Sequence, residues 1–155
     1  MAQHLISASA LIEAPASEVY AIIADYHEGH PRILPKPPFV ALEVDKGGVG
    51  AGTEIMCQMR MLGRIQTFHA AITEPEPGRV LVETIRESGM VTTYVVEPRN
   101  EGQQAFVTIR TEAAARGGIL GGLEGWLMSR LLQPVYVKEL EQLAAVAVKQ
   151  AVGKQ

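Results

Sequence analysis

Short strand-like segments separated by tight turns occupy most of this sequence and limit the folds open to it. Between residues 39 and 114, runs of apolar and β-branched residues alternate with turns such as Ser88-Gly89. These connections are too short to hold a crossover helix, so successive strands must pair antiparallel. Residues 4–14 alternate in the same way and add one strand before them. The strand segments are residues 4–14, 39–46, 53–61, 64–74, 79–87, 91–98 and 104–115.

Only residues 117–150 read as a long helix. Two shorter helical stretches, near residues 16–26 and 31–34, follow the first strand. A seven-stranded antiparallel sheet needs a large apolar partner on one face, and only the long helix can supply it. We therefore predict an α+β fold in which a curved sheet wraps around the C-terminal helix. Such curvature leaves room for a cavity between the sheet and the helix.

The composition favours a soluble protein of one domain. The chain has 155 residues, is 47% hydrophobic and carries a net charge of −3, which disfavours both disorder and binding to nucleic acid. Its single cysteine, Cys57, excludes an intramolecular disulfide and fits a reducing compartment. The N-terminal residues lack the features of a signal peptide, and no apolar run approaches the ~18 residues of a membrane span. We expect a cytoplasmic protein that does not insert stably into membranes.

Five segments carry a resemblance to a known family: SASALIEAPASEVYAIIADY, GGVGAGTEI, EPEPGRVLVET, VVEPRNEGQQAFVTIRTE and LEQLAAVAVKQ. Their order and spacing resemble the START-like (SRPBCC) superfamily, which includes the polyketide cyclase/dehydrase and lipid-transport families. The resemblance covers essentially the whole chain and implies a single domain, residues 1–155, with the helix-grip fold. It also implies a container for a hydrophobic ligand without fixing the chemistry. The sequence departs from the commoner family pattern at residues 27–34, where HEGHPRIL replaces an aromatic-rich stretch.

Three functional hypotheses follow. The first, which we favour, is binding, for transport or sequestration, of a small hydrophobic molecule such as a lipid, polyketide, isoprenoid or aromatic compound. The second is a polyketide cyclase or dehydratase that uses acid or base residues of the pocket and needs no metal or other cofactor. The third is an interaction module that docks through a helical stripe at residues 120–131. Ionisable groups that converge in a cavity favour the second hypothesis over the first, and a filled core favours the third.

Glu139 and Tyr94 are the candidates for catalysis or ligand anchoring. Glu139 falls in the centre of the apolar stripe of the C-terminal helix, where burial raises the pKa of a carboxyl group. The alternative is that its side chain reaches solvent or pairs with Lys138 or Arg130. Tyr94 falls on the inward face of its strand, where its hydroxyl group either orients a ligand or bonds to the backbone.

Strand alternation and helix periodicity select the rest of the predicted pocket. Met59 and Met61 share a strand face with Cys57; methionine either adapts to varied ligands or fills gaps in a core, and Cys57 should be a buried, unreactive thiol. Glu83 faces the pocket or, as we favour, the opposite side, depending on strand register. The predicted ligand-binding residues are Met59, Met61, Phe68, Thr92, Tyr94, Ile109, Thr111, Trp126, Val135 and Glu139.

Two motifs that suggest other chemistry have simpler interpretations. The glycines Gly48, Gly50 and Gly52 precede a strand rather than a helix, which excludes a dinucleotide loop and indicates a hairpin turn. His27 and His30 lack enough further ligands for a metal site. We interpret them as part of a polar loop, with a position at the cavity mouth as the alternative.

Pro134 interrupts the pattern of the long helix. The apolar stripe from Leu120 to Leu131 points about half a turn away from the stripe that follows Pro134, counting about 100° per residue. We therefore predict a kink or a break at Pro134. The glycine-rich half before it is either a lid over the cavity, with Trp126 closing the entrance, or the interface of a homodimer.

Overall fold

The computed structural model of the protein describes residues 3–114 and 118–153. Within these residues it confirms the predicted α+β, helix-grip architecture: seven antiparallel strands, two short helices after the first strand, and a long C-terminal helix. The elements are β1 (Gln3–Ile12), α1 (Ala16–Ala24), α2 (Gly29–Ile33), β2 (Phe39–Lys46), β3 (Glu54–Met61), β4 (Arg64–Glu76), β5 (Val80–Ile85), β6 (Val91–Arg99), β7 (Gln104–Ala114) and α3 (Gly118–Gly153).

The strand order of the sheet is β1-β7-β6-β5-β4-β3-β2, and every neighbouring pair is antiparallel. Strands β2 to β7 form the predicted meander, because each is joined to the next by a short turn. The first strand pairs with the last, and Ile6 of β1 lies opposite Thr111 of β7. The sheet is therefore open, with β1 and β2 as its edges.

Alternation along the strands and helical periodicity in α3 bury one face of each element. On β3, Ile55, Cys57 and Met59 are buried, whereas Arg60 is exposed. On α3 the buried positions recur every three or four residues, which is the spacing of one helix face. They are Leu132, Tyr136, Glu139, Leu140, Leu143 and Ala147. Each fully buried aliphatic side chain contributes about 1.5–3 kcal/mol to folding.

The sequence predicted a kink or a break at Pro134, and helix α3 continues through this residue without a break. Pro134 is exposed, so water can hydrate the carbonyl group that has lost its helical partner, and burial of the neighbouring Leu132 and Tyr136 offsets the proline's cost of about 3 kcal/mol. The side chains of Leu120 and Leu123, in the predicted stripe before Pro134, lie outside the described part of the structure. Although α3 is long, no helix within the described residues is apolar enough to cross a membrane.

The glycine-rich segment is a hairpin turn between β2 and β3 that supports the connection between α1 and α2. The backbone N–H of Tyr26 donates to the Gly48 oxygen at 2.8 Å, and that of Gly50 donates to the Ala24 oxygen at 2.9 Å. Gly48 has a φ of +144°, and a Cβ atom there would collide with the His27 ring. The turn therefore requires glycine at this position and fixes the segment that carries Tyr26.

Candidate functional site

A cavity of about 300 Å³ lies between the inner face of strands β2 to β6 and helices α2 and α3. Helix α3 packs against β1 and α2, so the sheet surface further from β1 is left uncovered. The apolar lining consists of Leu34, Phe39, Leu42, Ile55, Cys57, Met59, Met61, Phe68, Ile85, Met90 and Leu132. The polar groups at the inner end are His30, Glu83, Thr92, Tyr94, Tyr136 and Glu139. The exposed residues at the mouth are Gln66, Thr67, Glu87 and Ser88.

Glu139 and Tyr94 form a hydrogen-bonded pair at the inner end. Glu139 is 1% exposed and Tyr94 is 2% exposed, and the tyrosine hydroxyl donates to Glu139 Oε1 at 2.7 Å. Burial raises the pKa of Glu139 to about 8; the hydrogen bond from Tyr94 opposes this rise, and the charge of Glu83 adds to it. The pKa of Tyr94 also lies well above its ordinary value, chiefly because of burial. Glu139 is therefore mostly a neutral acid at pH 7.

Glu83 meets Tyr26 and His30 on the other side of this end. The Tyr26 hydroxyl donates to Glu83 Oε1 at 2.6 Å, and His30 Nε2 lies 3.5 Å from the same oxygen. The Tyr26 and His30 rings stack, with centroids 4.3 Å apart. Burial, and then the Glu83 charge, raises the pKa of Tyr26 well above its ordinary value. Tyr26 therefore stays protonated and donates a hydrogen bond to the Glu83 carboxyl group.

The orientation of His30 is fixed by the backbone. Its Nδ1 atom lies 2.8 Å from the carbonyl oxygen of Ile23, and a carbonyl oxygen only accepts hydrogen bonds. Nδ1 therefore carries a hydrogen and Nε2 is the nitrogen that faces Glu83. The ring also meets Tyr94 edge-on, with centroids 5.6 Å apart.

Three hydroxyl groups form a separate network beside Glu139. Thr92 Oγ1 and Thr111 Oγ1 lie 2.8 Å apart, and the Thr111 hydroxyl also bonds to that of Tyr136. Burial raises the pKa of Tyr136 to about 12, against the lowering effect of its bond to Thr111. Because these hydroxyls satisfy one another, the network stabilises the wall of the cavity.

At the mouth of the cavity, a second carboxyl group, that of Glu87, is hydrogen-bonded to His69. Glu87 accepts a hydrogen bond from the backbone N–H of His69 at 2.8 Å and contacts His69 Nδ1 at 2.6 Å. These bonds lower the pKa of Glu87 to about 2. Glu87 is thus an anion at the entrance, in contrast to the neutral Glu139 inside.

Six of the predicted ligand-binding residues line this cavity: Met59, Met61, Phe68, Thr92, Tyr94 and Glu139. Ile109 and Thr111 are fully buried in β7, but the cavity does not extend to that strand. Val135 lines a separate surface depression, beside Pro134. Trp126 is 58% exposed, with the Arg130 guanidinium over its ring, and it does not close the cavity.

Two polar residues reach the site against our favoured interpretation of the sequence, and a third was not predicted at all. His30 is not part of a polar loop, because α2 begins at Gly29 and buries it. The sequence contained a signal for this burial, because His30, Ile33 and Leu34 have the three- and four-residue spacing of one helix face. Glu83 points inward, on the same face of β5 as Leu81. The alternation that groups Glu83 with Leu81 therefore predicted its direction correctly, and our favoured interpretation was wrong. Tyr136, on the buried face of α3, also reaches the inner end of the cavity and was not among the predicted ligand-binding residues.

Cys57 lies in the core and His27 lies at the surface. Cys57 is 2% exposed, and burial raises its pKa to about 12, so the thiol reacts only slowly at neutral pH. His27 is exposed. Within the described residues, no group of three or more His, Cys, Asp or Glu side chains could hold a metal ion.

The curved sheet, the long C-terminal helix and the cavity between them define a protein with the helix-grip fold. A family model described as "Polyketide cyclase / dehydrase and lipid transport" matches residues 3–148, and the chain belongs to this family. A comparison with curated protein sequences finds no match.

Solved structures with the same fold cover nearly the whole chain. The NMR solution structure of KanY protein is 26% identical, covers 95% of this chain and 99% of its own, and has a TM-score of 0.81. The Zhui aromatase/cyclase from Streptomyces sp. R1128 is 17% identical over 96% of each chain, with a TM-score of 0.74. Norcoclaurine synthase from Thalictrum flavum, in complex with dopamine and hydroxybenzaldehyde, is 12% identical over 96% of this chain and 88% of its own, with a TM-score of 0.70.

Proposed function

We propose that this protein binds a small, largely apolar molecule between the sheet, α2 and α3. The observation that carries the proposal is a concave apolar wall around about 300 Å³, with polar groups gathered at one end. Burial of apolar ligand surface contributes about 25 cal/mol per Å², and the polar groups set the orientation. This volume lies at the lower end of the range for ligand pockets, about 300–1,000 Å³. A ligand of one or two rings therefore fits better than a long-chain lipid.

Membership of the family supports the same class of ligand, since its description joins polyketide cyclisation with lipid transport. Both activities require a protein that shelters an apolar molecule from water. The absence of lysine and arginine from the lining of the cavity, as far as the described residues form it, also favours an uncharged ligand over an anionic one.

Native mass spectrometry of freshly purified protein, together with titration of the neutral fluorescent probe N-phenyl-1-naphthylamine, tests the proposal. We expect a co-purified small molecule or saturable binding of the probe. The variant Cys57→Phe fills the cavity from β3 and should reduce probe affinity at least about tenfold. Arg60→Phe, which adds the same ring on an exposed position of the same strand, is the matched control. No binding by the wild type, or equal binding by both variants, contradicts the proposal.

A second candidate function is catalysis of proton transfer, because five ionisable side chains converge at the inner end of the cavity: His30, Glu83, Tyr94, Tyr136 and Glu139. Glu139 is a neutral acid, with its pKa raised to about 8, while Glu83 Oε1 accepts a hydrogen bond from the Tyr26 hydroxyl group. An acid and a base held in one apolar site are the components needed to move a proton next to a carbonyl group.

Proton exchange in a bound ketone tests this second function. The methyl group of 2-acetonaphthone lies next to its carbonyl group. In D₂O, Glu83 would accept a methyl proton while Glu139 stabilises the oxygen of the enol, and a deuteron from solvent would then return to carbon. NMR should show methyl deuteration faster than in buffer, and slower with Glu83→Gln. Exchange at the rate of buffer alone rules out this activity.

A further inference from the structure

The two carboxyl oxygens of Glu139 have different surroundings. Oε1 accepts the hydroxyl hydrogen of Tyr94 at 2.7 Å. Oε2 has no hydrogen-bond partner among residues 3–114 and 118–153, although Glu139 is 1% exposed and lines the cavity. Because Oε2 is not among the fully buried, unpaired side-chain atoms of the described residues, it keeps accessible surface in the cavity, where a ligand group can bond to it.

Burial and the charge of Glu83 favour the neutral form of Glu139, whereas the hydrogen bond from Tyr94 opposes it. Tyr94 faces it from β6, Glu83 from β5, His30 from α2, and Tyr136 from its own helix. The only cationic candidate among these, His30, is turned to Glu83. An ionised Glu139 would therefore share the cavity with a second carboxylate and without a cation of its own.

The direction of the Tyr94 bond decides which oxygen carries the acidic hydrogen. A tyrosine hydroxyl that donates to Oε1 occupies that oxygen as an acceptor, so the carboxyl hydrogen belongs on Oε2. An O–H donor on Oε2 then points into an apolar space, where a hydrogen bond is stronger than in water. Such a donor pairs with an acceptor and repels another donor.

We propose that Glu139, as a neutral carboxylic acid, donates the hydrogen on Oε2 to a carbonyl oxygen of the ligand, so that the cavity selects uncharged carbonyl compounds. This inference rests on the proposed ligand-binding function and specifies the ligand within it. A carboxylate ligand meets Glu83 and finds no lysine or arginine among the described lining residues. A protonated amine competes with Tyr26 and His30 for Glu83 and leaves the donor of Glu139 unpaired.

Four naphthalene probes with the same skeleton separate these cases. They are 2-acetonaphthone, 2-isopropylnaphthalene, 1-(2-naphthyl)ethylamine and 2-naphthoate, which present a carbonyl group, no polar group, an ammonium group and a carboxylate. Calorimetric titration at about pH 6 and about pH 10 brackets the pKa of Glu139, about 8. At about pH 6 we expect the ketone to bind about tenfold more tightly than the hydrocarbon, the ratio given by one net hydrogen bond. At about pH 10 that ratio should fall to about one, because ionised Glu139 has no hydrogen to donate.

Substitutions of Glu139 test whether the preference for the ketone depends on a hydrogen-bond donor at this position or only on the size of the side chain. Glu139→Gln keeps a donor that does not titrate, so the preference for the ketone should persist at both pH values. Glu139→Met removes the donor and should abolish the preference. Glu141→Gln, at an exposed position of α3, is the matched control and should behave as the wild type. If Glu139→Met does not fold, Glu139→Gln still tests the proposal, because its preference for the ketone should not depend on pH.

The results of these titrations test the role of Glu139 separately from the proposed ligand-binding function. Equal affinity for the ketone and the hydrocarbon at about pH 6 overturns the role of Glu139 and leaves the cavity as an apolar binding site. Tighter binding of the amine or the carboxylate than of the ketone also overturns it. Failure of all four probes to bind contradicts the proposed function, and the inference falls with it.

Discussion

The inner end and the mouth of the cavity each hold a carboxyl group in a short hydrogen bond to a ring-bearing side chain. Tyr94 lies 2.7 Å from Glu139, and His69 lies 2.6 Å from Glu87. The pKa of the inner carboxyl nevertheless rises to about 8, while that of the outer one falls to about 2. Both partners favour the ionised form, so burial, with a smaller contribution from the charge of Glu83, reverses the result at the inner end. Access to water, rather than hydrogen bonding, decides which end of this cavity is charged.

The strongest test of this contrast is the pH dependence of stability. In the folded protein Glu139 has a pKa of about 8, against an ordinary value of 4.5. Between these two values the folded chain retains a proton that the unfolded chain has released, so the free energy of unfolding falls as pH rises through this window. The contribution is constant below pH 4.5 and above about pH 8. The two pKa values differ by the equivalent of on the order of 5 kcal/mol.

Glu139→Gln should remove this dependence, since glutamine does not titrate. Urea unfolding of the wild type and the variant at a series of pH values measures it, and the difference cancels the titration of all other groups. Relative to the wild type, the variant should gain stability steadily from about pH 5 to about pH 8. A constant difference across this range is inconsistent with a neutral Glu139.

The backbone junction that presents His30 to the inner end should be the next most sensitive part. A Cβ atom on Gly29 would collide with the backbone oxygen of Ile22, and backbone cannot move aside as a flexible side chain can. We expect Gly29→Ala to lower the free energy of unfolding by about 1–3 kcal/mol. Gly122→Ala, on α3 where a Cβ atom meets nothing within 4 Å, should instead stabilise by up to about 1 kcal/mol. Equal effects of the two substitutions contradict the collision.

Removal of the Tyr94 hydroxyl should have a smaller effect, with a characteristic pH signature. Tyr94→Phe loses the bond to Glu139 Oε1, at a cost of about 1–2 kcal/mol. Because that bond lowers the pKa of Glu139, its loss should extend the decline of stability to higher pH. Combining Tyr94→Phe with Glu139→Gln in a double-mutant cycle isolates the pair. Additive effects would mean that the hydroxyl acts independently of Glu139.

The smallest effect should come from the mouth. Glu87 has a lowered pKa, so its pairing with His69 stabilises the fold above pH 4.5 and is lost as pH falls towards 2. Both side chains are exposed to solvent, and salt screens such pairs. Glu87→Gln should therefore shift the urea midpoint at pH 7 only slightly, and not at all in about 1 M salt. A shift as large as that of Glu139→Gln at the same pH removes the contrast between the two ends.

Local pattern predicted the strands and helices, apart from the break allowed for at Pro134, and it named Glu139 as a candidate while leaving a position at the helix surface open. Alternation gives the strands their inward faces, and the helical spacing around Glu139 places a charged residue among apolar ones. These are properties of one element at a time. They hold because the long helix and the sheet must bury their apolar faces against each other.

The boundary between packed core and open cavity could not be predicted in this way. Ile109 and Tyr94 both face inward, yet only Tyr94 lines the cavity. The difference depends on where α3 crosses the sheet: it packs beside β1, so the neighbouring β7 is covered and the strands further away are not. Helical periodicity also could not predict that the side chain of Trp126 is exposed to solvent.

Cys57 gives this architecture an internal reporter. It is the only cysteine of the sequence, and its side chain lines the cavity. Any label attached through sulfur therefore reports from within that space, without engineering. Slow modification of Cys57 by a small thiol reagent would time the entry of solvent molecules, and an occupant would be detected by the protection it gives. The wild-type chain can thus show when its cavity is filled before the identity of the occupant is known.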